Sequence, residues 1–254
     1  KITKADCLTW AGRFAKTGSA TAYNNTVKVF RDVMEISVEM GARYDNPVNH
    51  VDWVKPRKKE LTLPSLEQCD RWIAAVVASG TPWAARAADT IQFLAFTGCR
   101  LNEAANVTWQ DVDFSTGRIS MRITKNSETR TVPMIADARA LLERMRADRR
   151  DEPPTAGVLP LHECQVTMDR AAKEVGMKRI THHDLRHLFA TRCIESGVDI
   201  PTVSRWLGHK DGGALAMRVY GHLRDQHSTD MATKVRFAST PPTGPRAGNR
   251  ARPA

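Results

Sequence analysis

Arg118-Ile119-Ser120-Met121-Arg122-Ile123-Thr124-Lys125-Asn126-Ser127-Glu128-Thr129-Arg130-Thr131-Val132-Pro133 is the stretch where the apolar period of this 254-residue chain changes from that of a helix to that of a strand. From Arg118 to Thr124 apolar and polar residues alternate, Lys125 to Glu128 is turn-like, and Thr129 to Pro133 alternates back. Successive side chains of a strand point to opposite faces, so the pattern predicts a β-hairpin with Lys125 at its tip. On its N-terminal side, Ser65 and Gln68 form a capping box ahead of Leu66, Cys69, Ile73, Val76 and Val77, which predicts an amphipathic helix to about residue 78. The next helical run ends at Phe96-Thr97-Gly98, and another begins at about Arg100. On the C-terminal side, helical patterns cover residues 136–149, 162–175, 183–196, 200–207 and about 217–220.

Further out, Val27, Phe30, Val33, Met34, Val38 and Met40 recur at helical spacing, with Gly41 placed to end that helix. An irregular stretch follows from Asp45-Asn46-Pro47 to Leu63-Pro64, and Lys55-Pro56-Arg57-Lys58-Lys59-Glu60 within it reads as an exposed basic linker. We therefore divide the chain into residues 1–57, a linker at 58–64, a second domain at 65–237, and a tail at 238–254. The tail has four Pro, three Arg and no large apolar residue, a composition expected to be disordered. The fold class is mainly α with a small β-sheet or hairpin: an α+β domain preceded by an all-helical one.

Charge narrows the partners. The 38 Lys and Arg outnumber the 28 Asp and Glu, a net charge of +10 that suits a polyanion. No apolar run approaches the roughly 18 residues that a membrane helix needs, and no secretory signal is expected at the start. Five Cys without a C-x-x-C pair fit a reduced, cytoplasmic chain with buried thiols rather than a disulfide framework. There is no internal repeat and no glycine-rich phosphate loop.

Thr181-His182-His183-Asp184-Leu185-Arg186-His187 gathers three imidazoles and a guanidinium at a helix start, with positions 183, 186 and 187 on one face. His183 and His187 have the i, i+4 spacing of helical zinc ligands, but Arg186 on that face would repel a cation and the Glu of H-E-x-x-H is missing. Histidines that cap and pack are the plain alternative. An anion site uses every feature: a guanidinium for phosphate and an imidazole for proton transfer. Thr97-Gly98-Cys99-Arg100-Leu101-Asn102-Glu103 puts Arg100 at a helix N-terminus, where the macrodipole disfavours a cation unless an anion is near. Leu207-Gly208-His209-Lys210 closes another helix, and Met217-Arg218-Val219-Tyr220-Gly221-His222 follows.

Taken in order, Arg100, Lys125, His183-x-x-Arg186, Gly208-His209 and Tyr220 resemble the signature of the tyrosine recombinase (phage integrase) family. The resemblance covers about residues 61–237, and residues 1–57 then match the family's helical core DNA-binding domain, truncated at Lys1. His209 and Tyr220 stand further apart than in the family pattern, with Gly212-Gly213 between them. The resemblance implies DNA cleavage and rejoining through a 3′-phosphotyrosyl intermediate. Tyr220 would be the nucleophile, His183 its base, Arg100 and Arg186 the phosphate clamp, His209 a further donor and Lys125 the general acid. Glu103 and Asp184 would orient Arg100 and the His183/Arg186 pair, while His187 and His222 would be structural. The phosphodiester energy is kept in the phosphotyrosine, so no cofactor, neither ATP nor metal, is implied.

The implied partner is double-stranded DNA, held by a homotetramer on two duplexes and a monomer without DNA, with accessory DNA-bending proteins and no membrane. Lys28 and Arg31 on the first region's helix, with Lys55, Arg57, Lys58 and Lys59 in the linker, are the candidate phosphate contacts. The setting implied is a bacterial cytoplasm, at the nucleoid or under phage control, and the role integration or excision of a mobile element. Two other readings use the same residues: a type IB topoisomerase, and a DNA-binding relative without catalysis.

Overall fold

The computed structural model describes residues 1–56, 62–122, 129–161, 163–209, 214 and 217. Lys125, Tyr220, Arg57, Lys58 and Lys59 lie outside the described residues. The chain divides into two compact units, Lys1–Leu61 and Thr62–Ala254.

The first unit is built on α1 (Lys4–Thr17) and α2 (Ala20–Glu39). Thr3 and Asp6 form a capping box on α1, and Ser19 caps α2. Cys7, Ala11, Tyr23, Val27, Met34, Val48 and Val51 make its core, with Trp10 edge-on to Phe30 at 5.3 Å. Val33 and Met40, expected on the apolar stripe of α2, are 52% and 79% exposed. At about 100° per residue, position 33 lies well round the helix from 27 and 34.

The polar face of α2 holds the segment that follows it. Asn24 donates to the Val54 carbonyl at 2.8 Å and accepts from the Val54 amide at 2.9 Å. Arg31 donates to the carbonyls of Val48 and Val51, and its guanidinium lies 4.9 Å from the Trp53 ring centroid. The Arg31 guanidinium, expected to face a phosphate, is thus used inside the unit as a staple. Lys28 pairs with Asp32 at 2.7 Å, and Lys55 is exposed.

In the second unit α3 (Leu66–Ala78) starts at the expected Ser65/Gln68 capping box. α4 (Ala84–Thr97) ends at Gly98, and α5 (Leu101–Ala104) is a single turn with Arg100 as its N-cap. β1 (Val112–Asp113), β2 (Arg118–Met121) and β3 (Arg130–Pro133) form an antiparallel sheet in that order, with Ile119 opposite Val132 and Met121 opposite Arg130. The hairpin was legible; β1, two residues long, is too short to show a period. Then come α6 (Ala136–Asp148), α7 (Gln165–Glu174), α8 (His182–Glu195) and α9 (Ile200–Leu207).

α4 is the central element, packed by α3, α6 and α8. Its Ile91, Phe93 and Leu94 are almost wholly buried, as are Ile119, Met121 and Val132 on the inner face of the sheet. Each such side chain contributes about 1.5 to 3 kcal/mol over leaving it in water. Gly98 is where this packing fixes the site. Its φ is +61°, and a Cβ there would lie 2.3 Å from Cδ1 of Phe189 on α8 and 3.0 Å from Cδ2 of Leu207 on α9. Only glycine lets the chain turn left-handed this close to two helices, and the next residue but one is Arg100.

Candidate active site

Arg100 is extended (φ −75°, ψ 151°) at the start of α5, and Glu103 answers it from one turn on. The Glu103 side chain is only 2% exposed. Its Oε1 accepts from the Arg100 guanidinium at 2.8 Å, and its Oε2 accepts from the Arg100 backbone amide at 2.9 Å and from Nη2 of Arg130 at 2.5 Å. Burial alone would raise this carboxyl's pKa. The hydrogen bond and charge of Arg130, with the two bonds from Arg100, outweigh burial and hold it below the ordinary range. Glu103 is therefore ionised at neutral pH and holds both the amide and the guanidinium of Arg100.

Arg186 comes from α8 and is buried. Nη1 donates to the Gly98 carbonyl at 2.7 Å and Nη2 to the Leu207 carbonyl. Burial, then the charges of Arg100 and Arg130, lower its pKa to about 10, which leaves it charged at neutral pH. Two backbone bonds leave donors to spare on a group that carries five N–H. Side-chain exposure runs from 37% at Arg100 to 10% at Arg130, so Arg100 is the more open of these two guanidiniums. Three guanidiniums against one carboxylate make a site that favours a phosphate.

His183 lies one turn before Arg186 on α8, with the ring of His187 edge-on at a centroid distance of 4.6 Å. Partial burial of the His183 ring, then the charge of Arg186, lowers its pKa against the opposing pull of Asp184, and Arg100 lowers it further. His187 is lowered by burial, then by His183, with a smaller contribution from His209. Both rings are thus neutral near pH 7, the form in which an imidazole can take a proton. His209 follows α9 and Gly208 (φ +69°), its amide bonded to the Ser204 carbonyl at 3.0 Å.

Two expectations change. Asp184 spends one carboxylate oxygen on Thr181, accepting from its amide and hydroxyl at 2.8 Å each, because it is the third residue of a capping box. It fixes where α8 begins, and with it His183 and Arg186, rather than gripping either side chain. His182 turns away to Cys164, with Nε2 3.4 Å from the Cys164 sulfur. Arg130 was not among the candidates. The one signal for it is the strand period: Arg130 and Val132 lie two residues apart on one face, and a charge on that side needs a partner. Among the described residues no group of three His, Cys, Asp or Glu could hold a metal ion. Arg100 and Arg130 thus meet on Glu103, Arg186 and His183 lie close enough to feel Arg100, and His209 is close enough to be felt by His187, while Lys125 and Tyr220 are outside the described residues.

The family model described as phage integrase family matches residues 66–227. This chain belongs to the phage integrase family. Among curated members, the tyrosine recombinase XerC of Xanthomonas axonopodis pv. citri is 32% identical over 181 residues, 68% of this chain and 57% of that protein. The chain thus spans little more than half the length of that relative. The tyrosine recombinase XerD of Oceanobacillus iheyensis is 25% identical over 246 residues, 91% of this chain and 81% of that protein. The integrase fold is shared with solved structures. The Tn1549 transposon integrase in complex with circular-intermediate DNA has a TM-score of 0.68 at 19% identity, covering 93% of this chain and 86% of that one. XerH site-specific recombinase bound to a difH substrate gives 0.69 at 19%, covering 92% and 72%.

No helix among the described residues of this phage integrase family member is long and apolar enough to cross a membrane.

Proposed function

We propose that this chain is a site-specific DNA recombinase or integrase that cleaves and rejoins strands through a 3′-phosphotyrosyl intermediate. The observation that carries the reading is the cluster of Arg100, Arg130 and Arg186 around ionised Glu103, with the neutral His183 ring one turn away, in a member of this family. Arg100 and Arg186 hold the non-bridging oxygens of the scissile phosphate and stabilise the charge that builds there. Tyr220, whose free phenol is only about one part in a thousand ionised at pH 7, gives its proton to His183 as its oxygen attacks phosphorus. The bond from phosphorus to the 5′ oxygen breaks, Lys125 protonates that oxygen, and His209 donates to the phosphate. Rejoining runs the same step backwards with a new 5′ hydroxyl. One phosphoester replaces another, so neither ATP nor a metal is needed.

The partner is double-stranded DNA, with the linker lysines and arginine on its phosphates. The Tn1549 integrase, the XerH recombinase and a lambda integrase dimer were each solved on DNA, which supports the same partner here. Assembly is a tetramer on two duplexes in a bacterial cytoplasm, serving a mobile element, with DNA-bending accessory proteins. A duplex nicked near the cleavage position traps the intermediate. We expect a protein–DNA adduct on a denaturing gel, formed in EDTA and lost in Tyr220→Phe. An adduct that persists in Tyr220→Phe overturns the nucleophile, and relaxation of plasmids without a site favours a topoisomerase.

A further inference from the structure

Three segments far apart in sequence must hold register around one phosphate: α5 with Arg100, α8 with His183 and Arg186, and the end of α9 with His209. Glu103, on α5, is bonded by Arg100 at the start of that helix and by Arg130 from β3. Arg130 opens β3, five residues after Lys125. Its Nη1 donates to the carbonyl of Trp206 in the last turn of α9, while its Nη2 bonds Glu103. Arg186 takes the neighbouring Leu207 carbonyl, so two guanidiniums satisfy adjacent orphan carbonyls at that helix end. The chain then turns at Gly208, where a Cβ would lie 2.7 Å from Cδ of Arg130, and delivers His209.

We infer that Arg130 is a positioning residue of the reaction: its guanidinium fork locks Glu103, and through it Arg100, to the end of α9 that presents His209. This rests on the catalytic reading above. A lysine would keep the charge but lose the fork, since one ammonium cannot hold the directions of both acceptors. Against burial, Arg130 and then Arg100 lower the Glu103 carboxyl's pKa, and Arg186 and Cys99 feel its charge. Removing Arg130 strips the largest influence that keeps this carboxyl low, so its pKa rises and acid now disables Arg100.

The test measures adduct formation on the nicked duplex at saturating DNA, against pH, for the parent chain, Arg130→Gln, Arg130→Lys, Glu103→Gln and the double variant Arg130→Gln/Glu103→Gln. DNA affinity and thermal melting are read on each. Both Arg130 variants should slow adduct formation by about 10- to 100-fold, the size of effect seen when an outer partner of a functional ligand is removed. DNA affinity should stay close to the parent's, the acid limb of the rate should move to higher pH, and the double variant should be little slower than Glu103→Gln alone. A folded Arg130→Lys with parental rate and acid limb overturns the inference, as do additive effects with Glu103→Gln. Should Arg130→Gln fail to fold, Arg130→Lys decides on rate and acid limb alone. A parent chain that forms no adduct overturns the catalytic reading, and the inference with it.

Discussion

Gly98 shows how one residue without a side chain places two that carry chemistry. Its carbonyl accepts from Arg186, its left-handed turn delivers Arg100, and the space where a Cβ would sit is filled by Phe189 and Leu207. Gly98→Ala would pay for both the positive φ and the overlap, about 2 to 4 kcal/mol of unfolding free energy in urea titrations. A loss below about 0.5 kcal/mol would contradict the packing described. The Thr-Gly-x-Arg string names these residues in the sequence, but the collision with α8 and α9 becomes visible only when the helices are in place. Arg130 was less legible for the same reason: an arginine in an alternating strand looks like a surface residue until Glu103 and Trp206 are found beside it.

Among the elements, α8 carries the pH response. Its start is set by Thr181 and Asp184, and its first turn holds His183 with His187 behind. Both imidazoles have folded pKa values below their ordinary 6.5, chiefly through burial, then through Arg186 for His183 and through His183 for His187. The unfolded chain therefore takes up protons near pH 6.5 that the folded chain resists. Stability from the neutral rings is complete above about pH 6.5 and is lost as pH falls through their lower folded values. Urea titrations from pH 7.5 to 5 should show this decline, and a His183→Gln/His187→Gln variant should flatten it. Equal slopes in both proteins would contradict the assignment. The helix was readable from spacing alone; the direction of these shifts was not, because it depends on which charges the fold brings alongside.

For the whole molecule, charge is the property that survives every change of scale. Residues 1–60 hold 11 Lys and Arg against 7 Asp and Glu, so both units are basic. Affinity for duplex DNA should fall with salt, at a log–log slope of about −0.9 per neutralised phosphate. Replacing Lys55, Arg57, Lys58 and Lys59 by Gln should flatten that slope by about 0.9 for each that sits on a phosphate, and an unchanged slope would remove the linker from the interface. Arg31 warns that a basic residue on a promising helix face can be spent at home, on Val48, Val51 and Trp53. The sequence by itself determined the helical and strand periods, the capping box at Ser65, and the order of chemical groups from Arg100 to Tyr220, because each is a matter of local spacing. Only the tertiary structure decided that Arg130 joins Arg100 on Glu103 and that Arg186 is buried against two carbonyls. Those are contacts across long sequence separations, and their energies depend on burial and on neighbours that no local window contains.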